Sequence, residues 1–439
     1  MRIKFIRLST LLIISSIWVW GCSISSEQDL ATAKIRVKSG AEVFLEKHIG
    51  LVKNKRVGLV TNPTGVDSSL NSLIELLFSH PDIDLIALYS PEHGVRGNAQ
   101  AGEYIPFYID DKYKLPVFSL YGQSRKPEPG MLSNIDEYMR SFDTEDAGKT
   151  PEDSMVAGIE VMLFDIQDVG TRIYTYIATM AYCMQACAEA GIDFIVLDRP
   201  NPLNGLAMEG PILEYPHFSS FVGLYPIPVR HGMTAGELAN YFNENFLVKK
   251  VNLTVIPMQG WTRNMWYDET LLPWVFPSPN MPSLDTATVY PGQVFLEGTN
   301  ISEGRGTTRP FELFGAPWID GFKLTDRLNS LKLEGVIFRE AWFTPVFSKF
   351  AGKLCGGAQI HVLDRDKFKP WETTLYILQT IKELYPDDLK FHPDYFDKIM
   401  GTAKVRNALE QGVKVPRIIK QFREDIEAFA ERRKPYLLY

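Results

Sequence analysis

Six short apolar runs, separated by helical or turn-rich segments, limit most strongly what this chain can become. They are RVGLVTN (Arg56–Asn62), IDLIALYS (Ile83–Ser90), LPVFSLYG (Leu115–Gly122), the run inside GIEVMLFDIQDVGTR (Gly158–Arg172), IDFIVLDRPNP (Ile192–Pro202) and VNLTVIP (Val251–Pro257). Runs this short and this continuously apolar predict strands covered on both faces, as in a parallel sheet. Helical spacing follows at Ser68–Phe78 and Ile173–Ala190, and Thr234 with Glu237 forms a capping box ahead of Leu238, Ala239 and Phe242. The alternation predicts an α/β fold built on a mostly parallel sheet.

Ligands of such sheets bind outside the carboxyl ends of the strands. Here those ends are followed by NPTG, PEHGVRG, DIQDVGTR and DRPNP. Four polar, turn-rich segments are thus expected on one edge of one sheet. The phosphate cradles GxGxxG and GxxxxGK[ST] are missing, and so is the GxSxG elbow of a serine hydrolase. No cofactor is expected. The seven histidines are scattered and no His or Cys pair has ligand spacing, so no metal site is expected either.

From about Tyr290 the pattern changes. A Gly-rich stretch holds Glu297, Glu303, Arg305 and Arg309, followed by strand-like GVIFREAWFTPVF, an amphipathic helix over Glu372–Leu384 and a charged helical tail over Arg417–Arg432. Residues 42–288 are read as the main domain and residues 289–439 as a smaller α+β auxiliary domain. A cleft between them is the default ligand location.

The first residues read as a targeting segment. Arg2, Lys4 and Arg7 precede the apolar LLIISSIWVW, which is too short for a spanning helix, and Gly21 precedes Cys22. Residues 1–22 resemble a bacterial lipoprotein signal with Cys22 as the lipidated residue, and residues 23–41 read as a polar tether. A plain secretory signal with an incidental cysteine is the alternative. Either way an exported protein of the cell envelope is expected, touching the membrane only through a lipid anchor. Cys183 and Cys187, four apart on one helix face, read as core thiols, as free cysteines are commonly buried. Asp143–Ser154 is acidic and apolar-poor, the mark of an exposed insertion. A net charge of −7 gives a nucleic-acid partner no support.

Acid–base chemistry on a sugar needs a proton donor and a group that traps or stabilises the oxocarbenium-like centre. Glu92, between Pro91 and His93 at a strand end, is the best donor. His93 is either the acid itself or the group that orients Glu92, and a salt bridge from Glu92 to Arg96 is the structural alternative. Asp165 and Asp168 flank Gln167 at the next strand end, where they could polarise a water, hold hydroxyls, fix Arg172, or cap a helix starting near Thr171. Arg172, Arg199, Arg305 and Arg309 stand in separate motifs, and several arginines at one site imply an anionic ligand. Asn62, Arg96, Asn201, Asn280 and His231 are further ligand-binding candidates. Tyr174 and Tyr176 offer a stacking face, and Glu303 is the second catalytic carboxylate candidate.

Taken together, GLVTNPTGVD, YSPEHGVRG, FDIQDVGTRIYTYI, LDRPNPLNG, YPIPVRHGMTAGELA, FPSPNMPS, EGTNISEGRGTTRPFE and the closing RRKPYLLY resemble the bacterial exo-β-N-acetylmuramidase family. The resemblance runs through nearly the whole chain after Glu42. It implies a Rossmann-like main domain, a smaller C-terminal domain and a site in the cleft between them. It also implies release of N-acetylmuramic acid from the non-reducing ends of peptidoglycan fragments, with Glu92 of the PEHG motif catalytic. The lactyl carboxylate of that sugar calls for a cation. Its 2-acetamido group could act as the nucleophile, with Asp165, Asp168 or His93 orienting the amide; otherwise Glu303 would serve as a second carboxylate. A non-catalytic muropeptide-binding lipoprotein and an esterase or amidase are the competing readings. The latter needs an activated Ser or Cys.

Overall fold

The computed structural model describes residues 36–122, 125–140 and 158–439. The signal segment with Cys22, most of the tether and the acidic stretch Asp143–Ser154 lie outside the described residues.

The main sheet has seven strands: β1 (Arg56–Thr61), β2 (Asp84–Ser90), β3 (Tyr108–Ile109), β4 (Pro116–Ser119), β5 (Val161–Asp165), β6 (Asp193–Leu197) and β7 (Leu253–Ile256), in the order β3-β4-β2-β1-β5-β6-β7. All pairs are parallel except β3 with β4. With the two-residue β3 set aside, the parallel strands run third, second, first, fourth, fifth, sixth. That is the doubly wound order, with its switch point between β1 and β5.

The strands bury both faces. Val57 and Leu59 of β1 point with Leu88, Val117, Leu163 and Ile195 into one apolar cluster, under the helices Gly40–Lys47 and Leu73–Phe78. Val60 joins Ala87, Phe118, Phe164, Phe194 and Val196 in a second cluster, under the helices Tyr176–Ala190 and Ala235–Asn245. This second cluster continues without a break into the C-terminal region, through Phe295, Phe314, Ile377 and Ile399. Cys183, Cys187 and Cys355 are buried and unbridged.

The C-terminal region holds a three-stranded antiparallel sheet of β8 (Leu313–Ala316), β9 (Val336–Phe343) and β10 (Cys355–Val362), in the order β8-β10-β9. Helices Gly321–Ser330 and Pro370–Leu384 accompany it. The capping box at Thr234 is present, with Glu237 N–H on the threonine oxygen at 3.2 Å. The helix expected over Ser68–Phe78 begins only at Leu73, because Asp67 takes the Ser69 and Asn71 amides into a turn. The expected tail helix is two helices, Val415–Lys420 and Arg423–Arg433.

Polar ties join distant parts of the chain. Arg172 donates to the carbonyls of Pro211, Ile227, Ile399 and Met400 at 2.8, 2.9, 3.0 and 2.7 Å. Arg433 donates to Gly232 O at 2.6 Å. The Tyr439 hydroxyl donates to Asp198 Oδ2 at 2.7 Å and accepts from Met258 N–H at 2.8 Å.

Candidate active site

The switch-point crevice is filled by the chain itself. Arg199, just after β6, holds Asp165 at the end of β5 through two bonds of 2.5 and 2.8 Å, and a third bond reaches Val66 O. Asn62 Oδ1, just after β1, accepts from Thr64 N–H and Thr64 Oγ1. Only about 10 Å³ of space is left between Thr64, Gln167 and Arg199. The four strand-end segments do share one edge, but NPTG and DRPNP are sewn together rather than open to a ligand.

The open space lies over the ends of β2 and β4. A cavity of about 250 Å³ is lined by Glu92 and His93 after β2, Tyr121 after β4, and Tyr174 and Thr175 after β5. Ser278 and Asn280 close one side, and the C-terminal region adds Tyr290, Glu297, Arg305, Phe311 and Tyr395. The cavity is therefore walled by both halves of the chain. Tyr174, Tyr290 and Phe311 form an aromatic wall of edge-to-face contacts, 5.6 and 4.8 Å between centroids.

Glu92 is buried and held at both oxygens. Gly102 N–H donates to Oε1 at 3.0 Å and the Thr175 hydroxyl donates to Oε2 at 2.8 Å. The amide can only donate, so Oε1 is fixed as an acceptor; the hydroxyl can reverse its role, so a proton carried by Glu92 belongs on Oε2. His93 follows with φ +73° and Gly94 with φ +84°. Two left-handed residues in succession turn the chain sharply and keep both side chains at the strand end. His93 Nδ1 lies 2.9 Å from the carbonyl of Ala99, which only accepts, so the proton sits on Nδ1 and Nε2 is the acceptor. Burial pulls the His93 pKa below its ordinary value; Glu92 and the Ala99 bond oppose this, while Arg305 adds to it. The neutral ring is favoured.

Arg305 reaches the cavity from the C-terminal region, between Glu297 (2.8 Å) and Glu303 (3.4 Å) and 5.1 Å from the Phe311 centroid. Burial works against its charge, but the two carboxylates outweigh burial and raise its pKa. Lys349 pairs with Glu303 at 3.0 Å, and the Tyr395 hydroxyl donates to Glu297 at 2.9 Å.

Of the residues singled out from sequence, Glu92, His93, Asn280, Arg305 and Tyr174 border the cavity. The others are placed differently. Arg96 pairs with Asp110 at 2.5 Å, so the salt bridge considered for Glu92 does not form. Glu303 lies behind Arg305, held by Lys349. Asp168 accepts from Gly170 N–H at 2.7 Å and stands 3.6 Å from His231 Nε2. Neither it nor Asp165 caps a helix, because the helix begins at Tyr176 rather than near Thr171. Arg172 is wholly buried against carbonyls, and burial pulls its pKa down to about 9. Asn201 donates to Met233 O, and the Tyr176 hydroxyl donates to Pro277 O, bracing the segment that carries Ser278 and Asn280. Arg309 pairs with Glu312 at 3.1 Å. Sequence reasoning missed Tyr121, Thr175, Ser278, Glu297 and Tyr395. Of these, Tyr121 could have been found as the residue that follows a strand end. Among the described residues no cluster of His, Cys, Asp and Glu could hold a metal ion.

Comparison with known proteins agrees with this architecture. The family descriptions "Exo-beta-N-acetylmuramidase NamZ, N-terminal" and "C-terminal" match residues 57–149 and 144–285, and residues 288–439, respectively. The chain is 48% identical over 436 residues, covering 99% of both chains, to the peptidoglycan beta-N-acetylmuramidase NamZ of Bacillus subtilis strain 168. Two crystal structures of DUF1343 family proteins from Bacteroides fragilis NCTC 9343 are similar. One has a TM-score of 0.81 at 39% identity and the other 0.70 at 32%, each covering 92% of this chain and 99% of that one.

Proposed function

The chain belongs to the exo-β-N-acetylmuramidase family, and from that membership we propose how this glycosidase works. It removes N-acetylmuramic acid from the non-reducing ends of peptidoglycan fragments such as the N-acetylmuramic acid–N-acetylglucosamine disaccharide. Glu92 protonates the leaving oxygen from Oε2, while Gly102 N–H steadies Oε1. A single observation carries this reading: Glu92 stands where the cavity of about 250 Å³ meets a larger one, which it adjoins at Gly102 and Tyr121. A proton donor has to sit between the sugar being released and its leaving group.

Among the described residues, the cavity of about 250 Å³ is lined by no carboxylate besides Glu92 and Glu297, and Asp168 is not among its lining residues. Glu303 is tied to Lys349, and Asp165 to Arg199. Glu297 borders the cavity but is engaged by Arg305 and Tyr395. This favours the substrate's own 2-acetamido oxygen as nucleophile. Neutral His93, with Nε2 as acceptor, takes the acetamide N–H and turns the carbonyl toward the anomeric carbon. The exported, lipid-anchored location is part of the same proposal and rests on Arg2, Lys4, Arg7, the apolar run and Cys22.

The test is release of a chromogenic aglycone from β-N-acetylmuramic acid, beside the β-N-acetylglucosamine analogue and the natural disaccharide. Glu92→Gln should lower turnover of the disaccharide by about 10²–10⁴-fold. The loss should be smaller for the activated aryl group, which needs less protonation. Substituting trifluoroacetamide for the acetamide should slow wild type sharply. Equal loss on both leaving groups, or indifference to the fluorinated amide, would overturn the respective assignment. Tight muropeptide binding without turnover would instead favour the binding-protein reading.

A further inference from the structure

The larger of the two adjoining cavities, about 560 Å³, has so far been given a place beside Glu92 but no residue that recognises a ligand. Tyr104, Phe107, Phe118, Tyr121 and Tyr138 give it aromatic walls, and Arg125 is the basic residue among those lining it. Arg125 differs from every arginine considered as a ligand group from the sequence. Arg96, Arg199, Arg305 and Arg309 each face a carboxylate, and Arg172 is spent on backbone carbonyls.

Arg125 makes no ion pair among the described residues. Its guanidinium carbon lies 3.5 Å from the Tyr121 ring centroid and 4.8 Å from that of Phe221. Its Nη1 is buried without a hydrogen-bond partner. Glu128, the carboxylate lining the same cavity, accepts from the Tyr138 hydroxyl at 3.0 Å. Cation–π contact fixes the plane of the guanidinium and leaves Nη1 unspent. The side chain is half-buried, and its buried Nη1 is costly to leave unpaired unless a ligand supplies the acceptor. The planar fork matches a carboxylate. Tyr121 also borders the Glu92 cavity, so Arg125 stands one ring away from the acid.

We propose that Arg125 is the carboxylate-recognition residue of this enzyme, pairing with a carboxylate of a muramyl ligand held beside Tyr121. The inference rests on the glycosidase reading for its ligand class. That carboxylate belongs either to the lactyl group of the sugar or to a peptide attached there. Attachment turns the lactyl carboxylate into a neutral amide and brings the peptide's own carboxylates.

Calorimetry on the full chain tests this with three probes: N-acetylmuramic acid, N-acetylglucosamine and muramyl dipeptide. Wild type is expected to bind N-acetylmuramic acid or the dipeptide at least about tenfold more tightly than the neutral sugar. Arg125→Met should abolish that preference and leave N-acetylglucosamine affinity unchanged, and Arg125→Lys should restore part of it. Loss confined to N-acetylmuramic acid assigns the lactyl carboxylate, and loss confined to the dipeptide assigns the peptide. An acid preference that survives in Arg125→Met, with thermal unfolding like wild type, overturns the proposal. Because the readout is binding, a wild type that binds acid through Arg125 yet cleaves nothing would sink the catalytic reading alone.

Discussion

His93 carries two costs at once, a left-handed backbone at φ +73° and a buried imidazole. Its pH behaviour follows from burial. The unfolded chain takes up the His93 proton near pH 6.5, and the folded chain takes it up only at lower pH. Unfolding between those values is coupled to proton uptake, so stability rises with pH across that window. The contribution is complete above about pH 6.5 and lost as pH falls toward the depressed folded value. Asp198 acts in the opposite sense. Burial is the main reason its pKa is pushed up to about 6, so the stability it contributes at low pH is lost as pH rises through about 6. Comparing His93→Asn with wild type cancels the Asp198 effect. The expected result is a smaller loss of Tm for the variant between pH 7 and pH 5, measured by scanning calorimetry. Equal losses would mean that the ring is not kept neutral by burial.

The elements show which kinds of information a sequence makes legible. Buried parallel strands announce themselves as apolar runs, and six of the seven strands of the main sheet were readable that way. The seventh, Tyr108–Ile109, has two residues and no period to detect. The helix Leu284–Gln293 escaped for another reason, because Pro291 lies inside it and Gly292 follows. Tertiary packing overrides that local signal, with Ala287 and Val289 buried in the shared core. For the candidate site, Glu92 and His93 were legible as cavity-lining residues because they directly follow a strand, at the edge where such sheets open to ligands. Asp165 and Arg199 look the same in sequence, yet they satisfy each other. Only their pairing across strands separates a ligand group from a structural one. Thr234 tests a reading that was fully local. It caps its helix and also donates to Asp198 at 2.7 Å. Thr234→Ala should cost about 2 kcal/mol, a lost cap plus a lost bond to a buried carboxyl, in chemical denaturation.

At the scale of the molecule, the two halves share one apolar cluster and a few deep polar ties. Arg172 is the most telling of these ties. It reaches the last carbonyls of the helix Pro393–Met400, where the helix dipole favours a cation. Arg172→Met should fill similar volume but leave those carbonyls without donors, costing at least about 3 kcal/mol. The expected signature is a lower denaturation midpoint without a second transition. A separate, earlier unfolding step would show instead that the halves melt independently. The hydroxyl that bridges Asp198 and Met258 belongs to Tyr439, which lies 241 positions beyond Asp198 along the chain. A ribosome delivers these partners far apart in time. The sheet is complete in sequence long before its clasp exists, so a nascent chain arrested short of Tyr439 should stay open to proteases at the β6 and β7 ends, and become resistant only once the last tyrosine emerges.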